Sequence, residues 1–323
     1  MTGAAGFIGS TFVWLLRDEH SIVVLDKLTY AGRPENLPDD VELVVGAIED
    51  PNVVRELASG CDAIVNFAAE SHVDRSIADQ NAFARTHVIG TSVLLDAVRE
   101  LGVPRFVQVS TDEVYGSIEE GSFTESSPLD PSSPYSATKA GGDLLVSAHA
   151  HTYGVEALIC RGSNNYGPRQ YPEKLIPLMV LNALHRDPLP VYGDGRQVRN
   201  WLYVEDFCRG IRAVLENGRP GEAYNVGGPD ECENVEVVRR ILELTGVDDS
   251  LIEYVTDRPG HDRRYSLASE KIRDELGWSA QVGFDEGLRR TVDWYRDNEA
   301  WWGPIRSGEY RDYYERQYGR ALG

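Results

Sequence analysis

Thr2-Gly3-Ala4-Ala5-Gly6-Phe7-Ile8-Gly9 stands at the start of the chain and decides its fold. Glycines three residues apart let backbone approach a pyrophosphate and place that anion at the N-terminus of a helix, which the pattern carries to about Arg17. Alone, the motif is weak. Its context strengthens it, because the apolar run Ile22-Val23-Val24-Leu25 ends in Asp26, near the roughly twenty-residue spacing at which a carboxylate holds the ribose diol of a dinucleotide. That carboxylate would repel a 2′-phosphate, so the expected cofactor is NAD rather than NADP.

Working outward, a glycine-rich turn of this kind should follow a buried strand, yet Met1 sits where that strand would end. The expectation is therefore a parallel sheet whose first, central strand is absent, with the natural start lying upstream. Further short apolar runs follow at 41–45, 63–67 and 105–110, separated by helical patterns from about 51 and over 80–101; the last clear strand of this series is 157–160. The fold class is α/β: a Rossmann-type doubly wound parallel sheet with a smaller mixed α/β C-terminal substrate lobe. Residues 1–170 form the NAD-binding part, with later segments returning to it, and 171–323 are predominantly substrate-binding.

Composition narrows the partners. Asp and Glu number 52 against 32 Lys and Arg, a formal charge of −20, and the only lysines are Lys27, Lys139, Lys174 and Lys271. Such a surface repels nucleic acid, so an anionic ligand must enter a local basic pocket. The bland meaning of the charge is solubility, in particular where salt screens self-repulsion. Cys61, Cys160, Cys208 and Cys232 are scattered, which suggests core thiols rather than a metal site or disulfides. With no signal peptide and no apolar run of membrane length, the expected location is cytoplasmic and no membrane partner is expected.

The chemistry sits in two short stretches. Ser110-Thr111-Asp112-Glu113-Val114-Tyr115-Gly116 puts a hydroxyl and two carboxylates at the C-terminal edge of the sheet, where doubly wound folds bind ligands. Tyr135-Ser136-Ala137-Thr138-Lys139 opens a helix, and its tyrosine and lysine share one face, so that the ammonium is expected to lower the phenol and make it a usable base. Any isolated Tyr-x-x-x-Lys reads as a solvated helix face. Its place after a dinucleotide fold reverses that reading.

In order and spacing these motifs resemble the extended short-chain dehydrogenase/reductase superfamily, and the Thr-Asp-Glu triplet narrows the resemblance to nucleoside-diphosphate-glucose 4,6-dehydratases, with dTDP-glucose favoured over UDP-glucose. The likeness covers nearly the whole chain. It includes Leu25-Asp26-Lys27-Leu28-Thr29-Tyr30-Ala31-Gly32, the segment 68–77, Asn164-Asn165-Tyr166-Gly167-Pro168, Pro172-Glu173-Lys174-Leu175-Ile176-Pro177 and Asp257-Arg258-Pro259-Gly260-His261-Asp262. The resemblance implies that Tyr135, assisted by Lys139, deprotonates the C4 hydroxyl while Thr111 holds its oxygen. Glu113 then takes the C5 proton, and a protonated Asp112 donates to the departing C6 oxygen. It further implies that NAD lies against Gly3, Gly6, Phe7, Ile8 and Gly9, then Asp26, Lys27, Leu28 and Thr29. Ile48, Phe67, Ala68, Ala69, Ser71, Thr86 and Asn165 complete that side, with Tyr135 and Lys139 at its end. For the nucleotide sugar it implies Ser71, Thr111, Asn164, Lys174, Leu175 and Arg199. The resemblance places Asn234 with Lys174 and Arg199 at the nucleotide diphosphate, has Pro190 to Tyr192 and Arg258 to His261 closing over the substrate, and adds Tyr265 to the substrate contacts. Arg263 adds to the basic residues near these loops.

Three positions depart from the family pattern. Ala47 stands where Asp is usual in an adenine-contacting turn, His87 replaces an Asn in a segment expected to touch the cofactor side only indirectly, and Asn200 replaces an Asp beside Arg199. Altered affinity rather than altered chemistry is the expectation. Apolar spacing in the helices 80–101 and 135–153, which pair subunits in the family, implies a homodimer. Two rival functions share the fold: a UDP-sugar 4-epimerase or UDP-glucuronate decarboxylase, and a non-catalytic NAD-sensing regulator or scaffold. The acidic pair 112–113 argues against the first, and the intact Tyr-Lys pair against the second.

Overall fold

Four- to seven-residue runs rich in Val, Ile and Ala pair in parallel because both faces of the resulting sheet are covered by helices. A computed structural model describes residues 1–319. Its strands are β1 (Val23–Asp26), β2 (Glu42–Val45), β3 (Ala63–Asn66), β4 (Arg105–Thr111), β5 (Ala157–Gly162), β6 (Asn164–Tyr166), β7 (Leu189–Tyr192), β8 (Val198–Tyr203), β9 (Ala223–Val226), β10 (Asp230–Glu233) and β11 (Ile252–Val255). The helices that position the site are α1 (Phe7–Leu16), α2 (Pro51–Ala58), α3 (Val73–Ala78), α4 (Gln80–Ala84), α5 (Thr91–Leu101), α6 (Pro134–Tyr153), α7 (Leu175–His185), α8 (Val204–Asn217) and α9 (Asn234–Thr245).

The main sheet pairs β2 with β1 and, on its other side, runs β3-β4-β5-β9, every pairing being parallel. Met1 to Gly3 lie in the slot between β1 and β3. There the Thr2 amide donates to Val65 O at 3.0 Å, the Phe67 amide donates to Thr2 O at 2.9 Å, and the Leu25 amide donates to Met1 O at 2.9 Å. This short stretch therefore joins the two halves of the sheet. One face is covered by α1 and α8 through Phe12, Leu16, Phe207 and Ile211, the other by α2, α5 and α6 through Val54, Leu94, Leu95 and Val146. β9 is the outermost strand, so the sheet does not end at 157–160 as the local pattern suggests. Its residues Ala223–Val226 fall far along the chain and become part of the sheet only by pairing with β5.

A second apolar cluster forms around α7 and α9, with Trp201, Leu288, Tyr295 and Trp302; beside it β10 and β8 form a sheet with β6, which precedes 171, and β7 pairs with β11. Of the span 171–323, residues 320–323 lie outside the described residues. Among the described residues no helix is long and apolar enough to cross a membrane, and no cluster of His, Cys, Asp and Glu could hold a metal.

The helix expected over 80–101 is interrupted. A π-helical stretch, Arg85–Gly90, separates α4 from α5 and turns the consecutive residues Thr86 and His87 both inward. Close packing accompanies it: a Cβ on Gly142 of α6 would lie 2.8 Å from the His87 carbonyl.

Candidate active site

Burial, backbone shape and capping bring the motif residues to one cleft at the C-terminal edge of the main sheet. Gly3 adopts a φ of 66°, and a Cβ there would overlap the Ala68 backbone, so only glycine lets the first turn lie directly on the end of β3. The first turn of α1 contains no acidic residue and its N-cap, Gly6, supplies no side-chain cap, which leaves its backbone amides facing the groove. Asp26 is buried at the end of β1, its carboxylate accepting from the Ala5 amide at 2.9 Å and the Leu28 amide at 2.8 Å. Burial raises its pKa and these two bonds oppose the rise. An uncapped glycine turn with a carboxylate about one strand away fits the diphosphate and ribose of a dinucleotide.

From that turn the cleft runs without a break past Phe7, Ile8, Gly9, Lys27, Thr29, Ile48, Phe67, Ala68, Ala69, Ser71 and Thr86 to Thr111, Asp112, Glu113, Tyr135 and Lys139. Asn164, Asn165 and Lys174 border its far end. Leu28, at a φ of 51°, contributes its amide to Asp26 but does not line the cleft. Glu49, Gln170, Tyr171 and Phe207, outside the quoted motifs, line it as well, and so do Glu70 and Glu173, which lie inside quoted motifs without an expected role.

The helix bearing the tyrosine begins where Ser133 and Ser136 form a reciprocal capping box with Pro134 in the first turn, and it ends at Gly154. Lys139, buried, directs its ammonium to the Val109 carbonyl at 2.7 Å and so fixes α6 against the end of β4. Burial lowers Lys139 to about 8, with Asp143 opposing the fall. Thr111 near the phenol favours its ionised form, yet burial, with the nearby Glu113 charge, holds the Tyr135 phenol well above its usual value. This corrects the expectation that Lys139 lowers it: in the free protein the lysine is committed to a backbone carbonyl and the interior disfavours a phenolate.

Asp112 is buried, receives a 3.2 Å hydrogen bond from Thr111 Oγ1 on one oxygen, and leaves the other without a partner. Burial and then the Glu113 charge push it up to about 8, so it carries a proton at neutral pH. Glu113, half-buried, is raised by burial while Arg258, Lys174 and Arg199 pull the other way. The two neighbours thus form a proton donor beside a carboxylate faced by cations.

Lys174 lines the cleft, and with Arg199 and Arg258 it turns positive charge towards Glu113 from the second lobe, while the remaining predicted residues lie in that lobe outside the lining. Lys174 donates to the Ser71 carbonyl, and Leu175 begins α7 behind it. Arg199 lies 4.3 Å over the Tyr265 ring and donates to the Val198 and Asp262 carbonyls at 2.8 and 2.9 Å. Arg258 faces Asp74 at 3.6 Å. Tyr192 follows Pro190 on β7 and packs against His261, which hydrogen-bonds Asp257 at 2.6 Å and is lowered to about 4, chiefly by burial. Asn234, at the start of α9, buries a side-chain oxygen with no partner. Arg263 turns outward to Asp194 at 2.8 Å and does not join the group.

His87 does not line the cleft, but it has a neighbour that the sequence reading did not name. Its ring stands edge-on to Tyr135 with centroids 5.8 Å apart, so the position touches the tyrosine itself.

A profile of the GDP-mannose 4,6-dehydratase family matches residues 1–291. The chain is 51% identical to a dTDP-glucose 4,6-dehydratase of Streptomyces antibioticus, covering 95% of this chain and 94% of that one. It is 50% identical to the low-salt glycan biosynthesis protein Agl12 of Haloferax volcanii, covering 91% and 97%. A crystal structure of DesIV, a dTDP-glucose 4,6-dehydratase from Streptomyces venezuelae with NAD and TYD bound, superposes with a TM-score of 0.92 at 52% identity, over 94% of this chain and 98% of that one.

Proposed function

Because the chain belongs to the GDP-mannose 4,6-dehydratase family, and its cleft sets a buried acid and a carboxylate beside a tyrosine-lysine pair, we propose that it converts dTDP-glucose to dTDP-4-keto-6-deoxyglucose. The observation that carries this reading is the buried Asp112 carboxyl, one oxygen of which has no partner, adjacent to a Glu113 carboxylate faced by Lys174, Arg199 and Arg258. An oxidation alone needs no such pair. An elimination of water needs both.

NAD held along the glycine turn and Asp26 would supply the hydride acceptor and donor. Tyr135 acts as a base once its own proton has passed to solvent, a loss that the charge on Lys139 favours; it then takes the proton of the C4 hydroxyl, whose oxygen Thr111 holds. Oxidation at C4 acidifies C5–H, and Glu113 removes that proton. Asp112 gives its proton to the C6 oxygen, which leaves as water. Glu113 returns its proton to C5, C6 would receive the hydride held by the cofactor, and the proton gained by Tyr135 makes good the one that Asp112 lost, through solvent. Lys174, Arg199 and Arg258 supply the positive charge that a diphosphate needs inside an acidic protein.

On this reading residues 1–170 hold mainly cofactor and 171–323 mainly substrate. We also propose a homodimer, since Ile89 and Leu144, on the helical stretches 80–101 and 134–153, are 54% and 61% exposed. A cytoplasmic location follows from its cytoplasmic ligands.

Incubation with dTDP-glucose and with UDP-glucose, followed by NMR, tests the function. A 4-keto-6-deoxy product without net NADH is expected, faster from dTDP-glucose. A C4 epimer, or no product from either sugar, overturns the proposal.

A further inference from the structure

His87 is buried, and its two ring nitrogens face two different parts of the cleft. Nε2 lies 3.1 Å from the Glu70 amide, which can only donate, so this nitrogen accepts and carries no proton. Nδ1 must then carry it, and Nδ1 lies 2.8 Å from Thr138 Oγ1. The threonine in turn donates to the Tyr135 carbonyl at 2.9 Å. A single directed chain therefore runs from Glu70 through the imidazole to the first turn of α6. Burial and the neighbouring Lys139 charge keep the ring neutral, as this chain requires. The ring edges of Phe83 and Tyr135 pack against it, with centroids 5.7 and 5.8 Å away.

Both ends of the chain are functional on the reading above. Glu70 lies between Ala69 and Ser71 in the lining of the cofactor side, and Tyr135 meets the sugar. The π-helical stretch turns His87 inward between them. We propose that His87 is a positioning residue that ties the segment 68–71 to the turn carrying Tyr135 and thereby sets the phenol at the distance that C4 oxidation needs. This rests on the dehydratase reading. A displacement of the phenol by about 1 Å would slow that step by up to about a hundredfold without weakening substrate binding.

The test uses full-length protein and dTDP-glucose carrying hydrogen or deuterium at C4. His87→Phe keeps an aromatic ring against Tyr135 and removes both hydrogen bonds. It is expected to lower kcat about tenfold or more, to leave KM within about twofold, and to raise the C4 deuterium effect on kcat, as misplacement of a catalytic group predicts. Thr138→Val, nearly isosteric, breaks the same chain and should behave alike. The double variant should be no slower than the worse single one, because both remove one linkage. His87→Asn, whose shorter amide keeps a donor and an acceptor but cannot span both partners as the ring does, should recover part of the rate. A kcat within twofold of the parent for His87→Phe or Thr138→Val, or losses that multiply in the double variant, overturns the proposal; so does a change in KM alone. If His87→Phe does not fold, Thr138→Val decides. Absence of dehydratase product from the parent protein would instead sink the functional reading.

Discussion

Asp112 and Glu113 are consecutive, yet the protein treats them differently. Asp112 loses contact with water and keeps one oxygen unpartnered, whereas Glu113 sees three cationic side chains. Environments that separate two carboxyl groups in this way mark an acid and a base. Glu113→Gln should thus lower dehydration by at least about a hundredfold while dTDP-glucose affinity, measured by calorimetry, changes only a few-fold. Unimpaired turnover would remove Glu113 from its role. The pH dependence follows from Asp112 and Lys139 together. Below about 8 Asp112 holds its proton and Lys139 its charge; as pH rises through that value both are lost. Product formation at saturating substrate should fall above about pH 8, and a flat profile to pH 9.5 would contradict the assignment.

At the scale of elements, the glycine turn, Asp26 and the pair Tyr135-Lys139 were legible in the sequence because each needs a particular residue type: a backbone that tolerates close approach, a carboxylate at a strand end, two side chains on one helix face. The π-helical stretch was not legible, since a wider turn leaves no compositional signature. Nor were the partners of Arg199, which are backbone carbonyls supplied by tertiary packing, or the lining role of Glu173. That glutamate joins three elements. Buried just before α7, it accepts from Tyr30 Oη at 2.7 Å and from Arg75 Nε at 3.1 Å, while the Arg75 guanidinium lies 3.8 Å over the Tyr30 ring. The loop after β1, the helix α3 and the second lobe meet at this point. Removing Glu173 takes an acceptor from the half-buried Tyr30 hydroxyl and from Arg75, at a cost of about 1 kcal/mol. Glu173→Ala should lower the thermal midpoint by a few degrees and speed NAD release, read by stopped-flow fluorescence. An unchanged release rate would show that the junction braces the lobes without guarding the cofactor.

The whole molecule presents two surfaces that a monomer in dilute buffer leaves unsatisfied. One is apolar: with Ile89 and Leu144 exposed on long helices, Leu144→Glu should convert a dimer to a monomer by light scattering while the nucleotide-sugar cleft stays intact. A parent protein already monomeric would end that idea. The other is the charge of −20, with most arginines drawn into surface ion pairs such as Arg212–Glu19 and Arg264–Glu231. Exposed pairs of this kind contribute little individually, so they do not offset the repulsion among the excess carboxylates. The range of that repulsion shrinks from about 10 Å at 0.1 M salt to about 3 Å at 1 M. The thermal midpoint should therefore rise between 0.1 M and 2 M KCl. The cations facing Glu113 lie in a partly enclosed site, where added salt screens less than at the surface. KM for dTDP-glucose should accordingly change much less than stability over the same range. Melting curves and initial rates on one salt series separate the two effects, and a midpoint that falls with KCl would show that the surface pairs, not the excess charge, govern the stability of this fold.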